Sequence, residues 1–444
     1  MKEKREQWAS RFGFLMAAAG SAIGLGNIWR FPYITGKFGG AAFVAFYLLV
    51  GLTFGLSITI AEWAIGRAGR SDSVGSFKKL GGNLWAIVGW FGFISAFVIL
   101  SYYSVISGWI VYYIRFCLQN LFHAGRLRAS DTVFTTLITS PKLCIAFHLV
   151  NMAIVVSVTI KGVSQGIERI CKVLMPSLFA ILLILVVRSL TLEGALEGVK
   201  FYLVPNFHNL GTKGMLAATG QSFYSLSLAM GISITYGSYL KKEEKIPHLA
   251  PTVVFFDTLV AFLAGLVIFP ACFATDIVPG SGPGLAFVTL PKVFAQMPFG
   301  GVFATAFFVL FYIAAITSAI ALFEVVVAYG IDQLKLSRRA SALVMGLLIF
   351  ALGVPSAMAE APSAPKIFGK GFLDAADFVT NNWFIPVTAI FICIFVGWVW
   401  KNGAKDEITN GGTAPFKLYP VWLFICRFVA PIILAILLVN GGKW

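Results

Sequence analysis

The sequence predicts an all-α polytopic membrane protein, and three features carry that expectation. Of its 444 residues 58% are hydrophobic and 12% charged, where soluble domains carry roughly 25% charged residues. The mean hydropathy is +0.86. The apolar residues fall in long runs such as 145–160 and 385–400, not in the short alternating segments of a membrane β-barrel. In lipid each span closes its own backbone hydrogen bonds, so apolar runs of about 20 residues become helices.

Hydropathy, charge and Gly/Pro punctuation divide the chain into eleven spans, at 11–36, 41–68, 85–120, 142–161, 166–190, 213–240, 248–273, 302–333, 340–359, 376–400 and 418–440. The polar stretch Met1–Arg11 leads into a full-length apolar segment, which reads as a first span and not as a cleavable signal peptide. The net charge of +15 is not that of a nucleic-acid binder, because the basic residues are scattered through short connections. Most lie on alternate connections, on the side of the N-terminus, as in Arg67, Arg70, Lys78 and Lys79, or Lys241, Lys242 and Lys245. That bias predicts a cytoplasmic N-terminus and an outside C-terminus. No connection is long enough for a separate soluble domain.

The first and sixth spans break the helical pattern. The first contains Gly20-Ser21-Ala22-Ile23-Gly24-Leu25-Gly26-Asn27, and the sixth Ser225-Leu226-Ser227-Leu228-Ala229-Met230-Gly231. Interrupted segments five spans apart point to a binding site between two repeats. The spacing Gly20-xxx-Gly24 also fits plain helix packing, but packing does not account for Asn27 and Arg30, which are expensive in lipid. No strand or lysine in register supports a phosphate loop.

A helix broken in mid-membrane bares N–H groups on one side and C=O groups on the other. The first suit a carboxylate and the second a cation. Hard cations want oxygen ligands, and oxygen-bearing Asn27, Ser225, Ser227, Asp257, Thr317 and Ser318 lie at otherwise apolar depths. Asp257 is the sharpest of them, since a carboxylate within a span costs about 2.5–3.5 kcal/mol on insertion scales. Glu62 is placed near a span end, where it either pairs locally or serves function. Glu324 is expected to brace the broken helices by hydrogen bonding.

Six cysteines lie in or beside apolar runs without metal spacing, so reduced buried thiols are expected. A Cys117–Cys144 disulfide across one connection is the alternative. His123, His148, His208 and His248 are dispersed and show neither metal spacing nor a catalytic arrangement, so no enzyme is predicted.

The run Trp8-Ala9-Ser10-Arg11 followed by Ala19–Pro32 resembles the first helix of the neurotransmitter:sodium symporters. Tyr102-Tyr103 with Trp109, Gln221–Ser227, Ser281–Phe287, Thr317-Ser318 and Lys335–Arg338 follow in the same order. The resemblance spans essentially the whole chain and looks like the bacterial amino-acid transporter branch. It implies a leucine-transporter fold: eleven transmembrane helices, a 5+5 inverted repeat with broken helices 1 and 6, plus helix 11. Residues 1–190 would form the first repeat with a cytoplasmic tail, 191–400 the second, and 401–444 the last helix and C-terminus. It also implies Na⁺-coupled symport by alternating access in the bacterial inner membrane.

The site residues follow from the resemblance. The first Na⁺ site would use Ala22 carbonyl, Asn27, Ser225, Asp257 and the substrate carboxylate. The second would use the carbonyls of Gly20, Ile23 and Ala314 with the Thr317 and Ser318 hydroxyls. The substrate carboxylate would meet Tyr103 and the amides near Leu25-Gly26. The ammonium would meet carbonyls of Ala22, Tyr224 and Ser225, beside Ser227. Ile99, Tyr103, Tyr224, Met230, Ser318 and Leu322 would shape the side-chain pocket. Arg30 with Asp377 would gate the outside under a Tyr224 lid, and Arg5 with Asp332, backed by Trp8, the inside. Gly166 and Pro176, with nine residues between them, look like the family's fifth-helix motif, where unwinding admits water.

Several positions depart from the family pattern. Tyr224 stands where Phe is usual, and Ala229 where many members have Gly, which stiffens the second break. Asp257 stands where chloride-dependent relatives have Asn, so chloride is not expected to be required. Gly24 stands where monoamine carriers place Asp, so the substrate brings its own carboxylate. The pocket carries no net charge, and a neutral hydrophobic or aromatic amino acid follows. The alternatives are an imino acid or compatible solute and, in another class, a channel or receptor on the same scaffold. A channel would want a continuous polar stripe, whereas here polar groups converge at one depth. The sequence carries no sign of oligomeric state.

Overall fold

The computed structural model describes residues 5–278, 282–361, 364, 366–367 and 369–440, without the side chain of Ala124. Ser281, the first residue of the 281–287 run, lies outside them. Among the described residues the regular structure is helical, with one isolated bridge between Ile367 and Lys370.

Helix α1 (Arg11–Ala22) starts where the Ser10 hydroxyl accepts from the Gly13 N–H at 3.0 Å, satisfying one of the donors a helix start leaves free. It stops at Ile23, whose backbone is extended (φ −71°, ψ 103°). Helix α2 (Gly26–Lys37) resumes at 55° to it. There follow α3 (Ala41–Gly69), α4 (Ser73–Gly81), α5 (Ala86–Gln119), α6 (Ser130–Ile138), α7 (Pro141–Thr159), α8 (Val163–Leu190) and α9 (Ala195–Leu203). The second half comprises α10 (Phe207–Ser225), α11 (Ile232–Gly237), α12 (Ile246–Ala274), α13 (Leu285–Ala295), α14 (Gly300–Asp332), α15 (Arg338–Ala357), α16 (Phe372–Val399), α17 (Asn402–Ile408) and α18 (Tyr419–Asn440).

Among the described residues nine helices are long and apolar enough to cross a membrane, or ten with the bent pair α1–α2 counted as one span. The segment expected as the sixth span, 213–240, is α10 and α11 with residues 226–231 between them out of helical conformation. The connecting helices α4, α6, α9, α13 and α17 were not foreseen in the sequence.

Two long helices occupy the centre. The most apolar stretches of α5 and α14 are 78% and 83% buried, against 28% for the peripheral α18. Helix α11 seats on α3 through a reciprocal glycine contact. A Cβ on Gly66 would fall 1.9 Å from the Ile234 carbonyl oxygen, and one on Gly237 2.8 Å from the Trp63 Cα. Only small residues let two helices approach this closely, where dispersion rather than hydrophobic burial drives association. All six cysteines are free and buried, so the Cys117–Cys144 pair does not form.

The Gly166–Pro176 stretch is wound in this structure. It begins as a π turn over Val163–Glu168 and continues as α-helix through Pro176. The expected unwinding is therefore absent here. Glu62 sits about two turns before the end of α3 at Gly69. It lies inside α3, fully buried.

Candidate ion and solute site

The two interruptions meet. Between Ile23 and Gly26 the chain leaves helical geometry, and the Asn27 carboxamide oxygen accepts the freed Gly24 N–H at 3.0 Å. In the second break Ser227, Ala229 and Gly231 have left-handed φ of 51°, 61° and 76°. The Ser227 hydroxyl donates to the Ser21 carbonyl at 2.8 Å, joining the breaks directly. The Ala229 N–H, which the break leaves without a helical partner, donates to Glu62 Oε1 at 3.2 Å.

Asp257 of α12 ties both breaks to the scaffold. Its carboxylate accepts from Asn27 Nδ2 at 2.7 Å, from Ser225 Oγ at 2.9 Å and from Tyr47 OH at 3.0 Å. Asn27 Nδ2 also lies 2.9 Å from Ser225 Oγ. Asp257 is fully buried, and none of these donors is cationic. A buried carboxylate with only neutral partners keeps an unmatched negative charge, which fits a bound cation.

A second oxygen cluster lies where α1 ends against α14. Ser318 Oγ sits 3.2–3.3 Å from the carbonyl oxygens of Gly20, Ser21, Ile23 and Ala314. Thr317 Oγ1 adjoins it, 2.9 Å from the Ile313 and 3.2 Å from the Ala314 carbonyl. One hydroxyl proton satisfies only one of four acceptors, so this cluster too presents unmatched oxygen.

Between the clusters lies a cavity of about 30 Å³. Ala22, Gly24, Leu25, Gly26, Ile99, Tyr103, Tyr224, Ser225, Ser227, Met230, Ser318 and Leu322 line it, joined by Asn27 and Ile232. The Leu25 N–H points at the Tyr103 hydroxyl, 3.4 Å away. A Cβ on Gly24 would lie 2.9 Å from Ser318 Oγ and 3.1 Å from Tyr103 OH, so the missing side chain is what leaves the space open.

Toward the face opposite the N-terminus the cavity is roofed by Tyr224. The Arg30 guanidinium lies over that ring, 5.1 Å from its centre. Above it opens a vestibule of about 650 Å³ lined by Trp29, Arg30, Tyr102, Trp109, Asp374 and Asp377 among others. Asp377 accepts from Asn381 Nδ2 at 2.7 Å.

The N-terminal face is sealed by a strap, residues 5–10. Arg5 forms an ion pair with Asp332, donates to Ser238 Oγ at 2.7 Å and stacks over Tyr239. Trp8 is buried and donates from Nε1 to the Tyr236 carbonyl at 3.1 Å. Glu6 accepts from Val163 N at 2.6 Å and pairs with Arg338 at 2.7 Å. Glu168 accepts the Ala9 and Ser10 N–H groups at 2.7 and 3.1 Å. Burial alone would lower the Arg5 pKa, but Tyr239 and Asp332 reverse it and the net shift is upward. Arg5 therefore stays charged across physiological pH.

Glu324 braces the end of the second broken span at Tyr239 and not the break itself. It accepts from Tyr239 OH at 2.6 Å and from both Nη atoms of Arg338 at 2.9 Å. That fixes the strap's neighbours, whereas the break itself is braced by Glu62. Sequence reasoning also missed Tyr47, Glu6 and Glu168. The only signal for Tyr47 was one hydroxyl in the apolar run Ala41–Val50.

An all-helical membrane protein with two interrupted spans meeting at a buried, cation-matched polar centre is built as an ion-coupled secondary transporter. The chain belongs to the sodium:neurotransmitter symporter family, whose description matches residues 5–126 and 137–442. It is 40% identical over 442 residues to the sodium-dependent transporter YhdH of Bacillus subtilis, covering 99% of this chain and 98% of that one. It is 35% identical over 453 residues to a sodium-dependent transporter of Haemophilus influenzae, covering 99% and 98%. Its structure is similar to the crystal structure of MhsT in complex with L-phenylalanine, with TM-score 0.89 and 40% identity over 99% of this chain and 100% of that one. The fold is thus that of the bacterial members of this family, and the protein is a sodium-coupled membrane transporter.

Proposed function

We propose that this protein imports a neutral, hydrophobic or aromatic amino acid by Na⁺ symport across the bacterial plasma membrane. The observation that carries the reading is the cavity between the two breaks, flanked on one side by the buried Asp257 carboxylate and on the other by a cluster of unmatched hydroxyl and carbonyl oxygens. In this reading Asn27, Ser225, Asp257 and the Ala22 carbonyl hold the first Na⁺. The carbonyls of Gly20, Ile23 and Ala314 with Thr317 and Ser318 hold the second. The substrate carboxylate faces the Leu25-Gly26 amides and Tyr103, and completes the first Na⁺ shell, which couples solute to ion.

The cavity is narrow, so a large side chain displaces the Tyr224 ring and the Met230 thioether, whose flexibility suits varied substrates. Alternating access then exchanges the closed strap and the open vestibule. Release of Arg5, Trp8 and the Glu168 contacts opens the N-terminal face, while Arg30 and Asp377 close over Tyr224. The reading includes a cytoplasmic N-terminus, an outside C-terminus, 213–240 as the sixth of eleven crossings, and repeats at 1–190 and 191–400 with 401–444 appended. It also includes chloride independence, since Asp257 supplies a fixed negative charge.

Purified protein in liposomes tests it. Saturable uptake of radiolabelled leucine, phenylalanine or tryptophan that vanishes when Na⁺ is replaced by K⁺ is the expected result. Saturable uptake of these amino acids in K⁺ alone, or transport of proline or betaine in their place, overturns it. Replacing chloride by gluconate should leave uptake unchanged.

A further inference from the structure

A groove of about 1060 Å³ runs between α7, α8 and α14, away from the candidate site. Its lining is divided by polarity. Apolar walls come from Val158, Val173, Ile313 and Ile316, among others. Polar lining comes from residues 161–172, next to the strap on the N-terminal face. The one carboxylate there, Glu168, already pairs with Lys172 at 2.6 Å and accepts from the strap. Lys161 and Arg169 are exposed at the same end, and neither pairs with a carboxylate among the described residues.

A trough of branched aliphatic side chains with two unmatched cations at one end is complementary to an amphiphile with an anionic head. The groove lies between three helices long and apolar enough to cross a membrane, and Val173 on its wall is 63% exposed. Hydrocarbon is the solvent there, and basic pockets between spans at a membrane face select anionic head groups. We propose that this groove holds one anionic phospholipid, its phosphate between Lys161 and Arg169 and an acyl chain along Val158, Val173, Ile313 and Ile316. The occupant leans on the reverse side of the helix that carries Ala314, Thr317 and Ser318, and beside the Glu168 anchor of the strap. The inference stands independently of which solute is carried.

The test is native mass spectrometry of the full chain in detergent, titrated with phosphatidylglycerol and with phosphatidylcholine of identical acyl chains. One phosphatidylglycerol should be retained in preference. Each basic residue near a membrane surface contributes about fivefold, so K161Q/R169Q should weaken phosphatidylglycerol retention by about 30-fold at most and erase the preference. V173W keeps both cations and obstructs the trough, and should weaken both lipids. R126Q/R128Q, which removes the same charge from the connection between α5 and α7, should change nothing. Equal retention of the two lipids by the unaltered chain overturns the proposal. So does an unchanged preference in K161Q/R169Q, or an equal loss in R126Q/R128Q. Gel filtration of each variant, with an unshifted peak, separates loss of the lipid from loss of the fold.

Discussion

The two breaks reach the same end by different physics. The first is short and relies on missing side chains. Cβ atoms on Gly24 and Gly26 would lie 2.9 Å from Ser318 Oγ and 2.8 Å from the Tyr224 ring, and the bared Gly24 N–H is capped within the break by Asn27. The second contains two non-glycine residues in left-handed conformation, Ser227 and Ala229, each of which costs roughly 1–2 kcal/mol. It persists because neighbours hold it: Glu62 from α3 and the Ser21 carbonyl from the first break. One break is made by space and the other by partners, so they should fail differently when altered.

Asp257 serves both and gives the largest expected effect. Asp257→Ala removes the acceptor shared by Asn27, Ser225 and Tyr47 and strands their donors. Na⁺-dependent uptake in liposomes should fall at least about 100-fold, since three buried donors lose their acceptor at about 1–3 kcal/mol each. Retained uptake would separate the two breaks from a common ion site. Gly24→Ala comes next, because it fills the cavity without touching the second break. Substrate affinity in a sodium-dependent binding assay should drop about tenfold or more, in line with overpacking costs of roughly 1–3 kcal/mol. An unchanged affinity would show that the first break does not depend on space.

Glu62→Ala tests the partner side of the comparison. It leaves the Ala229 N–H unsatisfied, which costs about 1–3 kcal/mol, and thermal unfolding in detergent should move down by several degrees. Glu62→Gln keeps an acceptor oxygen and should recover most of that loss. Ala229→Gly is the smallest change and has the opposite sign. Relief of the left-handed strain should outweigh the added chain entropy and raise stability by about 0.5–1 kcal/mol. If Ala229→Gly instead destabilises, the second break is not strained in the way its φ implies.

Much of this was legible in the sequence because lipid is an unforgiving solvent. Long apolar runs have one way to satisfy their backbones, so the spans follow from hydropathy, and Asn27, Ser225, Asp257, Thr317 and Ser318 stand out at apolar depth. Other features carry no such signal. The α4 and α9 helices are short and amphipathic, and hydropathy reads them as connections. The second break has a single glycine, Gly231, so its left-handed residues depend on tertiary partners that no local pattern announces. Tyr47 reads as an aromatic in an apolar run until its hydroxyl meets Asp257. Glu324 and Glu62 are both carboxylates within spans, and only the fold shows that Glu62 reaches the break while Glu324 holds Arg338 and Tyr239.

The burial of every native thiol has a practical consequence for watching this protein move. A single cysteine introduced at Leu373 on the vestibule wall, or at Gln7 on the strap, would be the one sulfur within reach of a maleimide dye. Conjugation rates at those two positions, followed with and without sodium, would then report the opening of each membrane face in an otherwise unaltered polypeptide.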